Sequence, residues 1–157
     1  MNLLFANDDR GRHAPSYYAA TVPEAPLRAK LTGNVRSDVC VIGAGYTGLS
    51  AALHLAEAGL DVIVLDAHRV GWGASGRNGG QLGGGQRVDQ ADLETQFGLP
   101  RARQLWDLGE AAKQLVKDLI AKHNIETDLA PGIMHTAHKE RYVDDLRAEV
   151  DHMANTY

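Results

Sequence analysis

Three glycines at a fixed spacing are the first residues of this chain whose arrangement could do chemistry. Gly43, Gly45 and Gly48 follow the pattern G-x-G-x-x-G. In that pattern the first glycine allows a sharp turn, the second lets a pyrophosphate approach the backbone, and the third lets a helix pack closely on a strand. The following helix points its free N–H groups and the positive end of its dipole at the phosphate. The spacing therefore predicts a pyrophosphate site.

The segments around these glycines are the ones that a dinucleotide site requires. An apolar, β-branched run at residues 39–42 precedes the turn and predicts a buried strand. An apolar stripe at helical spacing follows the turn, and Gly59 is placed to end that helix. A second strand, predicted at 61–65, ends at Asp66, which lies 18 residues after Gly48. A ribose-binding carboxylate is expected at a spacing of about 20. A chance glycine turn between a strand and a helix is the weaker alternative.

A second unusual segment spans residues 71–85 and contains eight glycines. Neither a helix nor a regular strand tolerates that density, because each glycine loses much backbone entropy on ordering. Trp72, Arg77, Asn78 and Gln81 are interspersed among the glycines. Their donors and acceptors favour a backbone wrapped closely around a ligand. The alternative is a flexible linker, although linkers consist mainly of glycine and serine.

Composition excludes several classes of function. The 157 residues suit one sizeable core, and the net charge of -4 gives no footprint for nucleic acid or an anionic membrane. No apolar run is long enough to span a bilayer, and the N-terminus does not resemble a secretory signal, so we expect a cytoplasmic protein. Cys40 is the only cysteine and is expected to be a buried, unreactive side chain of the first strand. His135 and His138 lack partners at metal-ligand spacing, so no metal site is predicted.

The remaining segments are predicted from periodicity and turn residues. Residues 1–31 read as an extended arm that is broken by prolines, and its two adjacent tyrosines, Tyr17 and Tyr18, read as a packing anchor. Asp89 is placed to cap a short helix that ends at Gly98. Further elements are then predicted: a long helix from Pro100 to about 123, strands at 125–127 and 133–137, and a helix from 139 to about 153.

Two stretches of the sequence, residues 40–59 and the more specific 73–81, resemble the D-amino acid oxidase family of FAD-dependent oxidoreductases. The resemblance implies a flavin oxidase that acts on the C–N bond of a small amine or amino acid. Hydride would pass to the flavin, the imine would hydrolyse, and oxygen would be reduced to hydrogen peroxide. With the residues named above, the resemblance implies this set of FAD-binding residues: Gly43, Gly45, Tyr46, Thr47, Gly48, Asp66, Ala67, Ala74, Ser75, Arg77, Asn78, Gly79 and Gln81.

The resemblance also implies a fold class and a domain organisation. We expect an α/β protein, with a Rossmann-like FAD-binding βαβ unit followed by the beginning of an α+β substrate domain. The expected divisions are an arm at 1–31, the FAD-binding unit with its glycine-rich loop at 32–88, and a helical segment opening the substrate domain at 89–157. The family's chains are far longer, so the chain is expected to be incomplete, to bind FAD poorly alone and to lack turnover. Asp66 also stands where the family more often has glutamate.

Catalytic residues are not identified by the sequence, and two other functions stay open. A nicotinamide-dependent dehydrogenase would share the glycine pattern, but it predicts an ordinary helix and a third strand after Asp66. A non-catalytic nucleotide-binding module would explain why no catalytic base can be recognised. A flavin band in the visible spectrum would separate the flavin oxidase from both alternatives.

Overall fold

A computed structural model describes residues 11–23 and 25–157, and the chain divides into two compact units, Met1–Gly80 and Gln81–Tyr157. The first unit contains helix α1 (Tyr17–Thr21), strand β1 (Val39–Ile42), helix α2 (Tyr46–Glu57) and strand β2 (Val62–Leu65). A 3-10 turn, Ala74–Gly76, follows β2. The second unit contains helices α3 (Gln90–Phe97), α4 (Leu99–Lys122) and α5 (Val143–Thr156), with a 3-10 turn at Glu140–Tyr142 before α5. The predicted three-part division of the chain stays a prediction.

The strand, turn, helix and strand predicted around the glycines are present in that order. β1 and β2 pair in parallel, with Val39 opposite Val62 and Ile42 opposite Leu65. α2 is the crossover helix that joins the two strands, as a parallel pair requires. Gly59 follows α2 at a φ of +89°, the left-handed conformation typical of a residue just after a helix. This βαβ unit brings the turn at Gly43 beside the end of β2.

One face of β1 is exposed, which corrects the expectation that the strand and its cysteine are buried. Val39 and Val41 are half-buried, whereas Cys40 is exposed and Ile42 is 79% exposed. Successive residues of a strand point to opposite faces of a sheet. Val41 lies on the face that packs against α2, so Cys40 and Ile42 lie on the opposite face.

The arm and the predicted third and fourth strands also differ from the expectation. A short helix of five residues, α1, forms between Pro15 and Pro23, because seven residues separate the two prolines and Ser16 caps the first turn through a bond from the Ala19 N–H at 3.2 Å. Residues 1–10 and 24 of the predicted arm lie outside the described residues. Segments 125–127 and 133–137 form no strand in the part of the chain that the structure describes. A strand needs a neighbour for its backbone N–H and C=O groups, and neither segment pairs with one there.

The helices of the second unit follow the predicted boundaries closely. Gly98, at a φ of +76°, ends α3 and begins α4, and Pro100 lies in the first turn of α4. The Asp89 side chain makes no capping hydrogen bond, so the predicted role of that side chain is wrong although α3 begins after it. α3 packs against α4, and Leu93 of α3 and Ala102 of α4 are both buried. None of the helices in the described ranges is both long and apolar enough to cross a bilayer.

Candidate cofactor site

The glycine turn joins β1 to α2 through two positions that only glycine fits. Gly43 has a φ of +104°, and its N–H donates to the carbonyl of Leu65 at 2.7 Å. A Cβ atom at Gly48 would lie 1.9 Å from the carbonyl oxygen of Gly43 and 3.2 Å from Cγ1 of Val41. The helix therefore approaches the turn more closely than any side chain at position 48 would allow.

The N-terminus of α2 is met by a hydroxyl from the glycine-rich loop. Gly45 is the N-cap residue and has no side chain to cap the helix. The backbone N–H of Tyr46 donates instead to Oγ of Ser75 at 3.0 Å. A Cβ atom at Gly45 would lie 2.9 Å from that same Oγ atom. The Tyr46 N–H is therefore already satisfied within the protein, and the other N–H groups of the first turn of α2 are the donors that suit an anionic ligand.

Asp66 links the end of β2 to the glycine turn. Its Oδ2 accepts a hydrogen bond from the Ala44 N–H at 2.7 Å, and its Oδ1 accepts one from the His68 N–H at 2.7 Å. Asp66 is exposed, and a carboxylate has about four acceptor sites, so it can also accept bonds from ribose hydroxyls. The carboxylate therefore has a structural role that the spacing of the sequence does not indicate.

The segment after β2 folds back over the turn. The Gly71 N–H donates to the carbonyl of Ala44 at 2.8 Å. A Cβ atom at Gly76 would lie 2.2 Å from the carbonyl oxygen of Gly71, so the loop crosses itself at a position that requires glycine. Residues 71–80 therefore form a hydrogen-bonded loop, unlike a structureless linker.

Trp72 is at the centre of this loop. Its ring stacks on the His68 ring with centroids 3.8 Å apart and an angle of 14° between the planes. The Arg77 guanidinium carbon lies 4.9 Å from the centroid of the Trp72 ring, and Nε of Arg77 donates to the Trp72 carbonyl at 3.1 Å. Arg77 therefore makes a cation–π contact with Trp72 inside the loop itself. The terminal guanidinium nitrogens of Arg77 still offer donors to a phosphate.

Asn78 connects the loop to α2. Its Nδ2 donates to the Ser75 carbonyl at 2.7 Å and to the Tyr46 hydroxyl at 3.0 Å, while its Oδ1 accepts from the Gly80 N–H at 2.9 Å. The next carbonyl, that of Gly79, accepts from the hydroxyl of Tyr18 at 2.7 Å. Tyr18 is predicted from the sequence only as a packing anchor outside the site, because nothing in its spacing indicates which segment it contacts.

Most of the predicted cofactor residues come together in the first unit. Thr47 is in the first turn of α2, Ala67 follows Asp66, and Ala74 begins the 3-10 turn. Gln81 is exposed and belongs to the second unit, so the structure of the first unit does not include it. Whether these residues bind a cofactor stays a prediction.

The second unit holds a separate polar cluster, which we call the Glu94 cluster: Gln90, Glu94, His152 and Tyr157. Nε2 of His152 lies 2.9 Å from Oε1 of Glu94, and the Tyr157 hydroxyl donates to the same oxygen at 2.8 Å. The bond from His152 and then that from Tyr157 hold the pKa of Glu94 below its ordinary value. Burial raises the pKa of the Tyr157 hydroxyl. The hydrogen bond from Gln90 acts in the opposite direction, and Glu94 adds to the increase. Within the described residues, no group of three or more side chains could hold a metal ion.

The chain is similar in sequence to several known oxidoreductases. Over 142 residues it is 44% identical to the probable oxidoreductase OrdL of Rhizobium meliloti, a match that covers 90% of the chain and 33% of the relative. Over 137 residues it is 41% identical to the gamma-glutamylputrescine oxidoreductase of Escherichia coli, a match that covers 87% of the chain and 32% of the relative. The probable oxidoreductase OrdL of Haemophilus influenzae is 42% identical over 134 residues, which cover 85% of the chain and 31% of that relative. No solved structure matches the chain.

These comparisons establish both the family and its cofactor. The chain spans about a third of the length of these three relatives. The family model described as FAD dependent oxidoreductase (DAO) matches residues 38–157, which is more than half of the chain and includes every predicted cofactor residue. The family uses FAD, which confirms the predicted cofactor and disfavours the nicotinamide alternative. The chain therefore belongs to the DAO family of FAD-dependent oxidoreductases.

Proposed function

We propose that this chain provides the FAD-binding part of an oxidase that acts on the C–N bond of a small amine, with oxygen as the electron acceptor. The observation that carries the proposal is the hydrogen bond between Tyr46 N–H and Ser75 Oγ at 3.0 Å, which sets a loop hydroxyl against the N-terminus of α2. The proposed substrate is gamma-glutamylputrescine or a similar amine. Its support is the name of a relative with 41% identity. The expected cytoplasmic location belongs to the same proposal.

The chain's residues would divide the binding of FAD among them. The backbone N–H groups of Gly45, Thr47 and Gly48 would receive the pyrophosphate at the N-terminus of α2, because those of Gly43, Ala44 and Tyr46 already donate within the protein. Asp66 would accept bonds from the adenosine ribose hydroxyls, and the loop from Ser75 to Gln81 would lie along the pyrophosphate and the flavin. The fit rests on the close approach at Gly45, where a side chain would clash with Ser75 Oγ. Bound FAD would supply the hydride acceptor, and these residues would bind and orient it.

The test uses the complete natural protein that carries this chain. Its visible spectrum, and the peroxide formed with gamma-glutamylputrescine, putrescine and D-amino acids, are measured. We expect a flavin band and peroxide formation with an amine substrate. A colourless protein stabilised by a nicotinamide dinucleotide would contradict the proposal. A flavin-loaded protein that oxidises none of these substrates would overturn the amine oxidase assignment and leave the FAD site standing.

A further inference from the structure

The peptide group between Gly79 and Gly80 is held at both of its polar atoms. The Gly79 carbonyl accepts from the Tyr18 hydroxyl at 2.7 Å, and the Gly80 N–H donates to Oδ1 of Asn78 at 2.9 Å. Gly80 has a φ of +73°. Two successive glycines impose little steric barrier to rotation of the peptide plane between them, because neither has a Cβ atom. The two hydrogen bonds therefore select one of the orientations that this peptide could adopt.

Tyr18 is itself fixed by the segment that carries it. The side chain lies on α1, and the Tyr17 ring contacts its ring edge to face, with centroids 5.7 Å apart at 80°. The Arg69 guanidinium donates to the carbonyls of Gly11 and Ala25, which lie on either side of α1 in the sequence. The segment around α1 is thus hydrogen-bonded to Arg69, which follows β2. These bonds and the contact with the Tyr17 ring hold Tyr18 where its hydroxyl reaches the loop.

A continuous set of hydrogen bonds runs from this peptide to the N-terminus of α2. Asn78, which accepts from Gly80, also donates to the Ser75 carbonyl at 2.7 Å and to the Tyr46 hydroxyl at 3.0 Å. Oγ of Ser75 accepts the Tyr46 N–H. A rotation of the Gly79–Gly80 peptide would remove the partner of Asn78 Oδ1. It would thereby loosen the side chain that braces Ser75 and Tyr46.

We propose that Tyr18 is a positioning residue for the flavin cofactor, acting through the orientation of the Gly79–Gly80 peptide. The inference rests on the proposed FAD site, which it deepens by adding a residue outside the glycine turn and the glycine-rich loop. Tyr18 need not touch FAD. Its hydroxyl keeps the loop in the single conformation in which Asn78 and Ser75 face the N-terminus of α2, so the cofactor meets a site that is already ordered.

The experiment compares Tyr18→Phe with Tyr17→Phe in the complete flavoprotein. Each variant removes one hydroxyl and keeps the ring, and Tyr17 is 75% exposed while Tyr18 is 45% exposed. FAD is removed and titrated back to obtain its dissociation constant, and the visible spectrum of the reloaded protein is recorded. For Tyr18→Phe we expect a rise of about two- to tenfold in the dissociation constant, the range for one neutral hydrogen bond, and an altered flavin spectrum. For Tyr17→Phe we expect the wild-type values.

Two results would overturn the inference. In the first, Tyr18→Phe matches Tyr17→Phe in both FAD affinity and spectrum. In the second, Tyr18→Phe lowers the melting temperature of the flavin-free protein and leaves both flavin measurements unchanged, which would make Tyr18 a structural anchor only. A third variant, Gly45→Val, distinguishes failure of this inference from failure of the proposed site. If both Tyr18→Phe and Gly45→Val bind FAD normally, the proposed site itself is wrong. If Gly45→Val loses FAD while Tyr18→Phe binds it normally, only the role of Tyr18 is rejected.

Discussion

The hydroxyl of Ser75 accepts a hydrogen bond from the backbone N–H of Tyr46 at 3.0 Å, across 29 positions of sequence. This bond joins the glycine-rich loop to the first turn of α2. An N-cap glycine cannot cap its own helix, so the loop supplies the acceptor that the helix lacks. The bond therefore holds the glycine-rich loop beside the turn that is proposed to receive the pyrophosphate.

Ser75→Ala should weaken FAD binding. The substitution removes the hydroxyl that orders the loop against α2, so we expect the dissociation constant to rise by about two- to tenfold, the range for one neutral hydrogen bond. Titration of the flavin-free protein measures it. Ser50→Ala, on an exposed position of α2, is the matched control and should bind FAD as the wild type does. Equal affinities for the two variants would contradict the role given to Ser75.

Gly45→Val should abolish FAD uptake. A Cβ atom at this position would lie 2.9 Å from Ser75 Oγ, and the larger valine would fill the space that a pyrophosphate needs. The flavin content of the purified variant is read from its visible spectrum. Ala51→Val adds bulk to an exposed position of the same helix and should keep its flavin. Normal flavin content in Gly45→Val would remove the glycine turn from the site.

Asp66 should affect both folding and cofactor binding, and two variants separate the effects. Asp66→Ala loses the bonds from Ala44 and His68, so it should lower the stability of the flavin-free protein and weaken FAD binding by about 1–3 kcal/mol. Asp66→Asn keeps one acceptor oxygen and should be less affected in both. Urea unfolding and FAD titration give the two quantities. A dissociation constant that stays at the wild-type value in both variants would leave Asp66 with its structural role alone.

Arg77→Ala should change the environment of Trp72 in every case. The guanidinium lies over the indole ring, and such a contact at an exposed site contributes about 0.5–1 kcal/mol. We expect altered tryptophan fluorescence and, because the contact with Trp72 leaves the terminal guanidinium nitrogens able to donate to a phosphate, a weaker FAD complex. Fluorescence measures the change around Trp72, and titration with FAD measures the affinity for the cofactor. A changed fluorescence with unaltered FAD affinity and flavin spectrum would assign Arg77 to structure only.

The Glu94 cluster should make stability sensitive to acid. The pKa of Glu94 is lowered from an ordinary value of 4.5, first by the bond from His152 and then by that from Tyr157. A lowered pKa means that the stabilising contribution is present above about pH 4.5 and is lost as the pH falls through the folded-state pKa. Urea unfolding of the flavin-free protein between pH 7 and pH 3 should therefore show a steeper loss for the wild type than for Glu94→Gln. If the free energy of unfolding falls equally with pH in the wild type and in Glu94→Gln, the Glu94 cluster does not contribute to the sensitivity to acid.

The sequence by itself determined the βαβ unit and indicated the segments of the proposed site. The glycine spacing, the two β-branched runs and the acid after the second run are local patterns, and each is read within a few residues of where it acts. The boundaries at Gly59 and Gly98 follow from the backbone freedom of glycine, which the residue type alone reveals. The family resemblance at residues 40–59 and 73–81 likewise depends only on the order of residues within each of these two stretches.

The tertiary structure decided which residues meet and which faces are covered. Strand periodicity shows that Cys40 and Ile42 share a face, but only packing shows that this face is exposed while Val41 lies against α2. Segments 125–127 and 133–137 have strand-like composition but form no strand in the described part of the chain, since a strand depends on a distant neighbour for its hydrogen bonds. The bond from Tyr18 to Gly79 spans 61 positions. No local pattern encodes a contact at that separation, because the direction of the intervening chain is set by the packing of α2 on the two strands.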